Sequence, residues 1–118
     1  MQNYKNNQLE IKITENENLV ILKWLGHSRT LDPAVELNPY LNGVLNELQG
    51  KSILVDFTEL VSMNSSTIMP IIFFIRKLEE HAVVSEILYN GKLSWQKASF
   101  IVIAEIIKNY KNVKITAN

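Results

Sequence analysis

The chain has 118 residues, 47% hydrophobic and 20% charged, the composition of one globular domain that buries roughly two-thirds of its unfolded surface. Twelve basic residues against twelve acidic ones leave no net charge, and no basic stripe runs through the sequence, which argues against nucleic acid as a partner. There is no cysteine, so disulfides and thiolate metal sites are excluded, and a reducing cytoplasm is compatible.

The Asn- and Gln-rich start, Met1 to Leu9, lacks the apolar core of a signal peptide. No run reaches the ~18 apolar residues of a membrane span. A single cytoplasmic domain over residues 1–118, without membrane contact, is the expectation. Leu9-Glu10-Ile11-Lys12-Ile13 alternates apolar and polar with period two, as a half-buried strand does. After a Glu15–Asn18 turn, Leu19 to Leu25 reads as a second strand, so the two predict an antiparallel hairpin. The loop from Gly26 to Pro33 is densely polar and contains Gly26-His27-Ser28-Arg29.

Asp32-Pro33 and Asn38-Pro39 each look like an N-cap with proline at the first helical position. The second predicts a helix from Pro39 to Gln49, with Tyr40, Leu41, Val44, Leu45 and Leu48 on its buried face and Gly50 ending it. Ile53-Leu54-Val55, ending at Asp56, suits a parallel strand buried on both faces. Ile68, Ile71, Ile72, Ile75 and Leu78 have the spacing of a helical face. Glu86 to Tyr89 is a short strand, and Ser94 can cap a last helix to about Lys108. Val113-Lys114-Ile115 is a final edge strand. Strands alternating with helices in this order predict an α/β sandwich with right-handed crossovers.

Between the third strand and the central helix stands Asn64-Ser65-Ser66-Thr67, four small polar residues of which three carry hydroxyls. Pro70 confines the helix start, because proline is free of the missing N–H only in a first turn. With Ser66 or Thr67 as N-cap, Pro70 falls in or just beyond that turn. Asn64 and Ser65 then precede an electropositive helix end. Capping alone would account for any one of these hydroxyls.

Catalytic chemistry is nearly absent from the sequence. His27 and His81 match no metal-binding spacing, and His81 suits the negative end of a helix dipole. The four glycines are scattered and form no phosphate loop. Asp56 could act as a base, but hydrogen bonding that orders a turn is the simpler role. An enzyme is the weaker class of function, and no cofactor or metal is implied.

Ile53-Leu54-Val55-Asp56-Phe57, a short connector, then Met63-Asn64-Ser65-Ser66-Thr67-Ile68 leading into a helix resembles the signature of STAS domains, the anti-sigma-factor antagonist family. Asn64 stands where that family usually has aspartate, and Thr67 where it usually has glycine. With Gly26-His27-Ser28, the turn is also similar to that of SiaC-type regulatory phosphoproteins. The resemblance implies a STAS-like fold with a mixed sheet of four to five strands, an N-terminal antiparallel hairpin and about three main helices. It implies a non-enzymatic switch in a bacterial partner-switching system. There an anti-sigma-factor-like serine/threonine kinase phosphorylates Ser65, with Ser66 and Thr67 as alternatives, and a cognate phosphatase reverses it. The partner is that kinase or a downstream signalling enzyme. The rival expectation is an unphosphorylated STAS-fold interaction or assembly module; a nucleotide-binding domain has little support.

Projecting the central helix at 100° per residue leaves Met69 and Phe73 off its apolar side. The partner-binding surface is therefore expected on Asn64, Ser65, Met69 and Phe73, with Ser28 and Arg29 of the first polar loop. On the last helix, Trp95, Ala98, Val102 and Ile106 can face the sheet, which would expose Phe100, Ala104 and Ile107 and predicts a homodimer or a docked partner there.

Overall fold

The computed structural model describes Met1–Asn118. Two short strands join the expected ones, giving a seven-stranded sheet where four to five strands were expected. Strand β1 (Tyr4–Lys5) pairs with β2 (Leu9–Glu15), which forms the expected antiparallel hairpin with β3 (Leu19–Ser28). Helix α1 (Pro33–Asn46) leads to β4 (Ser52–Asp56), which lies parallel to the first half of β3. Where β4 stops, β5 (Leu60–Met63) takes over along the end of β3. A 3-10 turn (Ser65–Thr67) opens α2 (Ile68–Glu80). Strand β6 (Ser85–Tyr89), helix α3 (Ser94–Ile106) and the edge strand β7 (Val113–Ala117) complete the parallel side, in the order β1-β2-β3-β4-β6-β7. The result is the expected mixed α/β sandwich with three helices.

Strand parity shows that only one face of the sheet is covered. Leu9, Ile11, Val20, Leu22, Trp24, Ile53, Val55, Ile87 and Val113 are buried, while the alternate residues stay partly open. Leu54 belongs to the open row, so β4 is buried on one face and not on both. The apolar run misled because its middle member is a half-buried leucine beside Ile21 and Glu86.

Helix α1 starts at Pro33 and not at Pro39, with Asp32 at its N-cap. Pro39 is accommodated inside the helix on the solvent side, where the carbonyl of exposed Val35, deprived of an amide donor, can reach water. The helix ends at Asn46, and Gln49 and Gly50 take the left-handed conformation that turns the chain into β4.

Helix α3 presents the opposite face to the one expected. Gln96, Phe100, Ile103 and Ile107 are buried, and Ile101, Val102 and Ile106 are exposed. Aromatic packing decides the rotation. Trp24, Phe57, Phe100 and Tyr89 form a continuous chain with ring centroids 4.9, 5.0 and 5.3 Å apart, spanning β3, the end of β4, α3 and β6. Gln96 hides this face from an apolar projection, because it is a fully buried amide whose two protons and oxygen are all hydrogen-bonded. Its Nε2 donates to the Phe57 and Leu60 carbonyls at 2.6 and 3.0 Å, and its Oε1 accepts from the Asn90 N–H at 2.7 Å.

At the other end of the layer, Glu79 of α2 accepts the Lys111 and Asn112 N–H groups at 3.0 and 2.8 Å and fixes the approach to β7. These backbone bonds, that from Lys111 first, hold its carboxyl below the ordinary value of 4.5. A lowered folded-state pKa stabilises the fold above the unfolded value and loses that contribution as the pH falls below it. Glu79→Gln should therefore flatten the acid side of the stability profile below about pH 4.5, as read by denaturant unfolding at stepped pH. Phe100→Ala should cost about 3–5 kcal/mol, whereas Ile101→Ala should cost less than about 1 kcal/mol in the same assay.

Candidate functional site

The parallel strands bring their C-terminal ends to one edge of the sheet, and the hydroxyl turn lies there. Its anchor is the end of β3. Gly26 holds φ at +88°, and a Cβ at that position would meet the Gln8 carbonyl oxygen at 2.2 Å, so only glycine fits beneath the β1–β2 turn. The strand is irregular there, and His27 and Ser28 then pair with Ser62 and Met63 of β5. The His27 ring adds Nδ1 to the Ser62 hydroxyl at 2.7 Å.

Thr67 and Ser28 meet inside this edge. Both are buried, and their hydroxyl oxygens are 2.8 Å apart. Thr67 Oγ1 lies 2.8 Å from Asn64 Oδ1 and 3.2 Å from the Ser28 carbonyl. A threonine has one hydroxyl proton, and the shorter contact takes it, so Thr67 donates to Asn64 and accepts from the Ser28 hydroxyl. Asn64 Nδ2 donates in turn to the Thr30 carbonyl at 2.8 Å, and the Asn64 N–H to the Ser28 carbonyl at 2.9 Å. One directed chain thus runs Ser28, Thr67, Asn64, Thr30, and it ties the 3-10 turn to the loop before α1.

None of the turn's side chains caps the helix. Asn64, extended at φ −82° and ψ 167°, occupies the cap position with its side chain turned inward. Ser65 and Ser66 are exposed, their hydroxyls make no hydrogen bond, and their N–H groups have no partner within the chain. These are the orphan donors of a helix N-terminus. No acidic residue sits in the first turn of α2, so the positive end of the dipole is uncompensated there.

Met69 is 62% exposed and Phe73 39%. Phe73 lies one turn from Lys77, whose ammonium stands 4.8 Å above its ring and donates to Asn42 Oδ1 at 3.2 Å, placing the pair on the flank of α2 that faces α1. Arg29 is exposed, takes part in no ion pair, and lines a polar cleft of about 430 Å³ with Asn6, Asn7, Gln8, Thr30 and Glu36. Thr30 joins that cleft to the turn. Leu31, at 97% exposure, and Val35 are further exposed apolar residues at the start of α1; single apolar residues outside a periodic pattern carry no signal, and the sequence did not single them out.

Asp56 lies apart from this cluster. It accepts the Thr58 N–H and hydroxyl at 2.8 and 2.7 Å and so orders the β4–β5 turn, not the hydroxyl turn. Beside that turn, the ion pair with Glu59 holds the Lys23 ammonium above its ordinary pKa. No group of three or more His, Cys, Asp or Glu side chains is placed to hold a metal ion, and no helix is long and apolar enough to cross a membrane.

No family model matches the chain, and no curated protein matches it. Among solved structures it is similar to an uncharacterised protein of the DUF3478 family with a SpoIIAA-like fold, from Shewanella loihica PV-4. The TM-score is 0.57 at 14% identity, over 98% of this chain and 89% of that one. The protein therefore has the SpoIIAA-like, STAS-type fold.

The inward chain of bonds yields a direct test. Asn64→Asp would set a carboxylate oxygen against the Thr30 carbonyl in place of a donor and should cost about 1–3 kcal/mol at neutral pH, easing in acid as the carboxyl gains a proton to donate. Thr67→Val should cost a similar amount. Because the two side chains bond each other, the double variant should lose clearly less than the sum of the single losses in urea unfolding.

Proposed function

We propose that the protein is a non-enzymatic regulator in a partner-switching system, controlled by reversible phosphorylation of Ser65. The observation that carries this reading is a division among the turn's hydroxyls. Thr67 is withdrawn into the fold and bonded, whereas Ser65 and Ser66 stand free in solvent beside unpaired backbone N–H groups. A kinase needs a hydroxyl that can leave the surface and enter its active site. Thr67 cannot do so without breaking the chain to Ser28 and Asn64, and Ser66 remains the alternative acceptor.

The chemistry of the modified turn fits a switch that spares the fold. A phosphate brings about −1.5 to −2 charges and three acceptor oxygens. The orphan N–H groups and the dipole of α2 favour such an anion by ~0.3–1 kcal/mol, so the domain should stay folded. The effect falls on a partner surface packed against the turn, which would have to desolvate the phosphate. The proposed docking surface comprises Asn64, Ser65, Met69 and Phe73, with Ser28 contributing through the buried chain and Arg29 at the rim of the polar cleft. The proposed partner is an anti-sigma-factor-like kinase, with a cognate phosphatase, or a downstream signalling enzyme.

The test is capture of the partner from native lysate by wild type, Ser65→Ala and enzymatically phosphorylated protein, with phosphosite mapping by mass spectrometry. Wild type and Ser65→Ala should bind alike, and the phosphoprotein at least about tenfold more weakly, equivalent to ~1.4 kcal/mol or more. Phe73→Ala should weaken capture while changing folding stability by less than ~1 kcal/mol. Equal capture by all three forms, with no phosphate found on Ser65 or Ser66, would leave an unmodified interaction module as the function.

A further inference from the structure

The outer face of α3 is used by neither the fold nor the proposed switch. Ile101, Val102 and Ile106 are 52%, 58% and 49% exposed, three branched apolar side chains within two turns of one helix. Together they make an apolar surface of a kind that marks contact sites. We infer that this face joins two copies of the chain, with the α3 helices packed antiparallel across a twofold axis near Ile101.

The placement of charge selects this occupant. Lys97 and Glu105, both exposed, stand four residues before and four after Ile101, about 6 Å to either side along the helix. In a twofold antiparallel pair, residues equidistant from the axis meet. Lys97 of each copy then faces Glu105 of the other, so one spacing within one helix generates two ion pairs across the interface. The same register brings half-buried Trp95 of one copy to within one residue's rise, ~1.5 Å, of Ile106 of the other along the axis, because they lie six residues before and five after Ile101. Ala98, exposed on the same side, is small enough to let the two backbones approach. A parallel arrangement would instead oppose lysine to lysine and glutamate to glutamate.

Glu105 is already bonded to Lys108 three residues on, at 2.7 Å, and it stands exposed on the same outer face, between Ile101 and Val102 in the helical projection. The face shares no residue with Asn64, Ser65, Met69 or Phe73, so pairing through α3 leaves the turn open and its test is independent of the switch.

Sedimentation equilibrium of the full chain from ~1 to ~100 μM is the measurement, with melting curves to establish that each variant is folded. Wild type should dimerise, and Ile101→Glu should be monomeric with an unchanged fold. Lys97→Glu and Glu105→Lys should each raise the dimer dissociation constant at least about tenfold, and the two together should return it to within about threefold of wild type. A wild type that stays monomeric throughout overturns the proposal, as does an Ile101→Glu variant that associates as wild type does. Single reversals without effect, or a double reversal that fails to recover association, overturn the antiparallel register.

Discussion

A threonine hydroxyl shut away from solvent, Thr67, joins the end of β3 to the start of α2, and the geometry of the whole candidate site depends on that contact. Thr67 accepts a hydrogen bond from the Ser28 hydroxyl and donates one to Asn64, whose amide in turn donates to the Thr30 carbonyl. Each link is buried or partly buried, so losing one strands a polar atom where water cannot replace the partner. The 3-10 turn is thereby held from below by its last residue and from the side by its cap residue. What remains free are the two serines between them, and that asymmetry is a property of the scaffold before any partner is considered.

The scaffold is stiff at this edge for a second reason. The turns following β4 and β6 both end there, and Gln96 bonds the backbone of each, reaching Phe57 and Leu60 on one side and Asn90 on the other. Beneath it the rings of Trp24, Phe57, Phe100 and Tyr89 fill the space between sheet and α3. A buried amide with every donor and acceptor used sets register as well as depth, since rotating α3 would break three hydrogen bonds together. The rotation of α3 in turn fixes which of its apolar residues reach solvent.

Periodicity made the hairpin, the strand at 52–56 and the central helix legible in the sequence, and it put Met69 and Phe73 outside. It failed where two patterns competed. Helix α3 is apolar around much of its circumference, and its one buried polar residue, Gln96, turned the projection toward the wrong side. At α1, two Asx-Pro pairs offered two starts, and the presumption that proline breaks a helix favoured the later one. The exposed setting of Pro39 removes most of that penalty. Strands β1 and β5 are too short to carry a period, and β5 is defined by its pairing with the irregular end of β3, a long-range fact. At the site, the hydroxyl-rich turn was visible as composition. Which hydroxyl faced inward was not, because Ser28 and Thr67 are 39 residues apart and only the fold brings them together.

The two departures from the STAS signature, Asn64 and Thr67, turn out to be bonded to each other. A glycine at 67 would leave nothing to fill the buried space beside Ser28 or to donate to residue 64. With a threonine there, residue 64 must accept from its hydroxyl and donate to the Thr30 carbonyl at the same time, and an ionised aspartate cannot donate. Asparagine does both, so each replacement makes the other fit. The exchange also changes the field at the neighbouring serine. A carboxylate at 64 would lie next to any negative group added to Ser65 and repel it, whereas an amide leaves the charge at that position neutral. With no acidic residue in the first turn of α2 either, the positive end of the helix has no anion of its own. The bonding that locks the turn is thus the same substitution that leaves its outer surface receptive to a negative charge.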